Sequence, residues 1–440
     1  MIATLANAPI RSATTTGQLL RTYTSSTETD YNYDALGRLW QVRVIKQNGS
    51  ILATPLVTEY GYDLDGNLTT IADPNGVTAT NEFDAFNRLD SVITTNSTNH
   101  KLFEQDYTLL PDGQRASVLE SRYDGTSSTP FSTVRIDWAY DNESRLVTET
   151  RDDGDNHTCD TTAGGDYTDF FTLDMAGNRL TLEHGWDADN DGTVSTGDTI
   201  DSITAYTYNS RDQLLAEGPD TNNDGIPDSS TAINYTYDDN GSMTAKGSDT
   251  YTWDLRGRMV TATVGGTTST IGYDSDGQRV SEQTGTTATT YYVNDKSNPT
   301  GYPQILEERS GTSPANATFV RSYTIGLRVE GQADTTVGVA MYVIDGHGST
   351  RSLLDSSGQE LQRGSENGSK AIIRMMTIGV PFSDPPTTPS PASAPARICP
   401  TSPARPPSPS ISRTASAPAG SNPNTASPPA SPPSSIPTAT

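Results

Sequence analysis

An all-β array of short hairpins is the fold class this sequence predicts, and three observations predict it. A ten-residue phrase recurs along most of the chain. Hydrophobic residues make up only 32% of it, with 20 Tyr against 8 Phe. No convincing amphipathic helical pattern occurs before residue 360. A repeated unit of this size cannot bury a core alone, so its copies must stack on one another.

The phrase reads aromatic, Asp, two variable residues, Gly, a polar residue, then Leu or Met. Its clearest copies are Tyr33-Asp34-Ala35-Leu36-Gly37-Arg38-Leu39, Tyr62-Asp63-Leu64-Asp65-Gly66-Asn67-Leu68 and Trp253-Asp254-Leu255-Arg256-Gly257-Arg258-Met259. Weaker copies start at Phe83, Tyr140, Leu173, Tyr208, Tyr237 and Tyr273, and Tyr107 opens a degenerate one with Asp112-Gly113 shifted. Gly17-Gln18-Leu19-Leu20 resembles the second half of a copy, so the chain reads as starting inside an array. Intervals between successive starts run from 16 to 35 residues. That spread is too uneven for a tight helical solenoid and suits strands joined by loops of varied length.

Each phrase predicts strand, turn, strand. Asp suits the first position of the turn because its carboxylate accepts hydrogen bonds from following backbone amides. Gly three residues later supplies a positive φ that closes the hairpin. The aromatic and the Leu flank the turn and can meet across the strands or stack on the next copy. Asn87, Ser144 and Asp212 replace the Gly in three copies. Asn and Asp tolerate the left-handed region, and Ser144 is the least comfortable of the three. Low hydrophobic content fits thin sheets that bury rings between copies and disfavours one thick core.

With these residues the chain resembles the YD-repeat, or RHS-repeat, family, from about Tyr23 to about Gln362. Tyr342-Val343-Ile344-Asp345-Gly346-His347-Gly348-Ser349-Thr350-Arg351 strengthens the likeness, because it is similar to the lead into that family's RHS-associated core, here 342–358. The resemblance implies a β-ribbon that curls into a spiral shell, or an open curved sheet where copies are few. It also implies a structural role, enclosing a C-terminal toxin or other cargo for delivery between bacteria, with secretion or display at the cell surface. A second reading is a secreted adhesin that binds cell-surface glycans or a partner cell through exposed Tyr and Trp. The family's autoprotease region carries Asp-Pro-x-Gly-Leu. No match to it occurs here, so no catalytic Asp is carried over and no enzyme activity is expected.

Composition narrows the remaining classes. Length alone would suggest two or three ordinary domains, and the repeats override it. A net charge of −25 argues against nucleic acid as a partner, since phosphate would be repelled. No stretch reaches the roughly 20 apolar residues of a membrane span, and Met1 to Leu20 lacks the basic start and apolar run of a signal peptide. Cys159 and Cys399 form no disulfide framework. Four histidines (His100, His157, His184 and His347) assemble no zinc pattern, and His347 is expected to pack or hydrogen-bond within its turn.

The array is assigned to residues 1–362 and a low-complexity tail to 363–440. The tail is Pro/Ser/Ala/Thr-rich and has no Asp or Glu after Asp384, so disorder is its default. It reads as a wall anchor or linker, as an ordinary disordered tail, or as out-of-frame text beginning near residues 362 to 375. The last reading is favoured because Arg363-Gly364-Ser365-Glu366-Asn367 departs from the repeat.

Two acidic loops are candidate Ca²⁺ sites of structural purpose. The first spans 187–198 and sets Asp187, Asp189 and Asp191 at alternate positions. Gly192 follows, then Thr193 at the backbone-carbonyl position and Asp198 at position twelve. Hard oxygens so spaced can wrap one ion. The second spans 220–228, with Asp220, Asn222, Asp224 and Asp228 as ligands, and is similar to thrombospondin-type calcium segments. The competing reading of both is an acidic surface turn.

Overall fold

The computed structural model describes residues 9–153, 166–186 and 198–363. The described residues form 29 strands and one 3₁₀ turn, Pro314–Asn316. Each strand pairs antiparallel with the one before it and the one after it, from Ile10–Ala13 to Glu360–Arg363. The first and last strands do not pair, so this is one open all-β sheet. The tail after Arg363 lies outside the described residues.

The recurring phrase builds every second connection from Tyr33 to Arg279. Tyr33 ends the strand Glu28–Tyr33 and faces Leu39, which opens the strand Leu39–Gln47. Tyr62 faces Leu68, Tyr208 faces Leu214 and Trp253 faces Met259 in the same way, each after a one-residue register shift. Asp34 N–H donates to the Arg38 carbonyl at 2.9 Å and Gly37 N–H to the Asp34 carbonyl at 3.0 Å. The closing position is left-handed in every such turn: φ is +81° at Gly37, +60° at Asn87, +58° at Asp212 and +63° at Ser144. Ser144 therefore holds a conformation that costs an L side chain about 1–2 kcal/mol.

One copy is phased differently from its sequence reading. Its turn is closed by Leu110 N–H to the Gln114 carbonyl at 2.7 Å, with Gly113 at φ +94°, and Leu109 faces Arg115. Leu109, not Tyr107, occupies the aromatic position. Gly113 sets the phase because it alone there takes the left-handed angle without strain. Tyr107 instead lies within the strand Lys101–Leu109 and is buried.

The interior is divided among small clusters. Tyr31, Leu39, Val42, Tyr60 and Ile71 form one, and Val92, Tyr107, Val118, Val134 and Ile136 another. A third joins distant parts of the chain, Val77 and Phe103 with Val343 and Leu354. Each buried side chain of this kind contributes about 1.5–3 kcal/mol.

That third cluster lies on a seam where the sheet returns on itself. Arg11 pairs with Asp295 at 2.6 Å, Thr27 Oγ1 donates to Glu307 at 2.7 Å, and Tyr60 Oη donates to Glu330 Oε1 at 2.7 Å. Residues 11–60 thus meet residues 295–330 in the same order. The later coil runs alongside the first.

Candidate functional site

The exposed turn edge is built from short-range rules. Asp34 Oδ1 accepts the amides of Leu36 and Arg38 at 2.9 and 2.8 Å, and its Oδ2 takes Arg38 Nε at 2.8 Å. Asp84 with Arg88 and Asp254 with Arg258 repeat this arrangement. The Arg258 side-chain bond, then its backbone amide, pulls Asp254 down to about 2. Several of the polar residues after the Gly also reach the next copy. Arg145 Nη1 donates to the Asp174 carbonyl at 2.9 Å and Arg258 Nη1 to the Asp274 carbonyl at 3.0 Å. The Arg38 guanidinium lies 4.4 Å from the Tyr62 ring centre.

The repeated aromatics tie copies together from the other side. Tyr62 Oη donates to the Leu39 carbonyl at 2.6 Å, Tyr237 Oη to the Leu214 carbonyl at 2.9 Å, and Trp253 Nε1 to the Met243 carbonyl at 2.8 Å. Each donor thus meets the carbonyl of the Leu or Met position in the preceding copy. Indole and phenol interchange because both pair an apolar ring with one donor.

The seam is chemically different. It buries charged side chains: Asp295 and Glu307 are fully inaccessible and Glu330 is 1% exposed. Glu307 accepts Thr24 and Thr27 from the first coil and holds Arg309 at 2.6 Å. Glu330 pairs with Arg328 at 2.9 Å and accepts Tyr60 Oη, whose oxygen lies 3.4 Å from the Leu327 amide. Burial, then the Glu330 charge, pushes the Tyr60 hydroxyl well above its ordinary value. The loop Asp345–Ser349 docks nearby in sequence order. Its Gly346 amide reaches Tyr107 Oη at 3.1 Å, and the Gly346 carbonyl accepts Arg115 at 2.8 Å. His347 packs edge-on against Tyr107 and Trp138 and is held below its ordinary pKa by burial first and Arg115 next.

The acidic loops are placed as follows. Asp187, Asp189, Asp191 and Thr193 lie outside the described residues, and Asp198 is half-buried just before the strand Thr199–Tyr208. In the second loop, Asp220 is 3% exposed, and its two oxygens accept the amides of Asp224 at 3.1 Å and Gly225 at 2.8 Å. Asp224 Oδ1 accepts the Ile226 amide at 2.9 Å, and Asp228 Oδ2 accepts Thr221 Oγ1 at 2.7 Å. Asn222 Nδ2 donates to Asp224 Oδ2 at 3.2 Å. The donors are hard oxygens, as Ca²⁺ requires, but the carboxylates turn to separate backbone and side-chain partners. Among the described residues no three His, Cys, Asp or Glu side chains converge as a metal-holding group.

Sequence reasoning did not find Asp73, Asp295, Glu307 or Glu330. The cross-seam partners of the last three lie some 270 or more residues away, as with Tyr60 and Glu330, and no local pattern marks them. The polar residue after each Gly was visible in the phrase, but its reach into the next turn was not.

No family model matches the chain, and no curated protein matches it. Solved structures do. The crystal structure of TcdB2-TccC3-Cdc42 aligns with a TM-score of 0.58 at 15% identity, over 81% of this chain and 18% of that one. The crystal structure of TcdB2-TccC3-TEV aligns with a TM-score of 0.56 at 16% identity, over the same shares. At such identity the likeness is one of fold, and the chain spans 18% of the length of either structure. Among the described residues no helix is long and apolar enough to cross a membrane.

Proposed function

We propose that this chain is a coil of a YD-repeat shell, a toxin-associated scaffold that encloses and delivers a C-terminal effector in longer relatives and performs no chemistry itself. The seam is the observation that carries this reading. A sheet that returns on itself and docks coil against coil through buried pairs is a wall, and its exposed edge holds ordered turns. The same reading makes the protein secreted or surface-displayed, with the effector as its partner.

The test is protection. The full chain is fused to an unstructured reporter after Thr440 and treated with protease. Digestion of the reporter at the rate of the free peptide rejects enclosure by this chain; slowed digestion supports it. For the 187–198 loop we propose Ca²⁺ as a structural cofactor. Chelation then lowers Tm, and an unchanged Tm excludes it.

A further inference from the structure

Two copies of the phrase open with Leu in place of an aromatic, and both put Arg where Leu or Met is usual: Leu109 with Arg115, and Leu173 with Arg179. Within each pair the two residues face each other across a turn closed by a left-handed glycine, Gly113 at φ +94° and Gly177 at φ +91°. A ring stands two residues before each Leu, Tyr107 in one copy and Phe171 in the other. The Arg guanidinium lies over that ring, 4.2 Å from the ring centre for Arg115 and 4.6 Å for Arg179. The neighbouring strand adds a second ring at the matching place, Trp138 in Ser132–Tyr140 and Tyr206 in Thr199–Tyr208. Each second ring faces a glutamate on the strand after it, Glu149 and Glu217.

The first set is a seat for the turn Asp345–Ser349. Arg115 donates to the Gly346 carbonyl at 2.8 Å, and the Gly346 amide lies 3.1 Å from Tyr107 Oη. The His347 ring meets Tyr107 and Trp138 edge-on, with centres 6.1 Å away in both cases. Position 346 must be glycine, because a Cβ there would stand 2.5 Å from Tyr107 Oη. The seat thus recognises a carbonyl, a glycine and a ring. In the second set, Arg179 is exposed and also lies 5.7 Å from the centre of the Tyr206 ring, while Phe171 and Tyr206 are half-buried. Among the described residues its guanidinium has no hydrogen-bond or ion-pair partner. Phe171 lacks the hydroxyl of Tyr107, so this set offers a turn amide one acceptor fewer.

We propose that Phe171, Arg179 and Tyr206 form a second seat of the same kind, which binds a β-turn of a separate YD-repeat chain. The bound turn places a carbonyl on Arg179, a glycine against Phe171, and a ring between Phe171 and Tyr206. Its chemistry is that of the turn held by the first seat, Gly followed by a ring residue and a second Gly. The partner is another chain because this chain's own copy of that turn is fixed on Tyr107 and Arg115. Charge-assisted bonding to the carbonyl and edge-on ring contacts supply the affinity.

The probe is a cyclic peptide carrying residues 342–352, titrated into the full chain and followed by calorimetry and hydrogen exchange. The tethered turn holds the first seat at high effective concentration, which leaves the peptide the second. Saturable binding is expected, with slowed exchange in the strands Tyr167–Leu173 and Arg179–Trp186. Arg179→Leu should weaken binding about tenfold or more. A peptide carrying His347→Ala, which leaves the chain itself untouched, should bind roughly two- to tenfold more weakly. Arg279→Leu should leave binding unchanged, since Arg279 lies over Tyr292 and pairs with Glu282 in another copy. No saturable binding at about millimolar peptide overturns the proposal. Undiminished affinity in Arg179→Leu overturns it too, as does full affinity of the His347→Ala peptide. Slowed exchange confined to Lys101–Leu109 and Ser132–Tyr140 would place the peptide on the first seat and equally reject the second.

Discussion

The exposed turn edge and the seam use the same residue type to opposite ends. Asp254 in an exposed turn is pulled down to about 2 by Arg258 and the amides beside it. Asp73, which opens a turn of closely related backbone geometry, is pushed up to about 8 by burial and by Glu330. An aspartate in the exposed turns stabilises its own hairpin and makes no demand on the rest of the molecule. An aspartate on the seam answers to groups from the other coil. The difference teaches that in this array local hydrogen bonds shape the hairpins, while long-range charge burial decides how coils dock.

The contrast can be broken from the seam side with the largest effect. Tyr60 is 5% exposed, packs with Tyr31, Val42 and Ile71, and carries the bond to Glu330. Tyr60→Ala should cost about 3–5 kcal/mol, read as a fall in the chemical denaturation midpoint, with Leu327 losing exchange protection. A change confined to residues 50–72 would show that the two coils do not stabilise each other.

Effects on the turn edge should be smaller and local. Gly37 sits at φ +81° with Gln18 Nε2 3.2 Å from where a Cβ would stand. Gly37→Val should cost about 1–3 kcal/mol and raise exchange in its own hairpin; unchanged thermal stability would refute the turn assignment. Ser144, at φ +63°, offers the reverse test. Ser144→Gly should raise stability by about 0.5–1 kcal/mol, because relief of the left-handed strain exceeds the added chain entropy. Arg38→Ala removes a partly exposed ion pair and the contact with Tyr62. It should cost about 0.2–1 kcal/mol and shrink further in high salt.

The pH responses of the two regions should differ in sign. Asp254 lies below its unfolded value, so its contribution is complete above about pH 4 and is lost as pH falls towards about 2. Asp254→Asn should therefore blunt the acid limb of the stability curve and leave neutral pH nearly untouched. Asp73 lies above its unfolded value, so its contribution is lost as pH rises from about 4 to about 8. Replacing both should leave a curve flatter on each side than either single variant.

Much of the hairpin geometry was legible in the residues. The Asp-to-Gly interval predicted the turn, Ser144 was read as the strained closer, and the Tyr33–Leu39 pairing followed from their positions around it. The Leu109 copy was misphased because Tyr107 is the stronger aromatic signal, while Gly113, the residue that sets the turn, lay outside the expected spacing. Of the acidic loops, 220–228 holds amide bonds of its own, and 187–197 lies outside the described residues.

The sequence by itself determined the repeating unit, because a turn closes through neighbours a few residues apart and each residue carries its partner with it. Only the tertiary structure decided which carboxyls become buried. The return of residues 295–355 onto residues 11–115 sets their dielectric surroundings and their charged neighbours. Nothing in the five residues around Asp73 encodes the distance to Glu330. That distance comes from the accumulated twist and curl of the intervening strands.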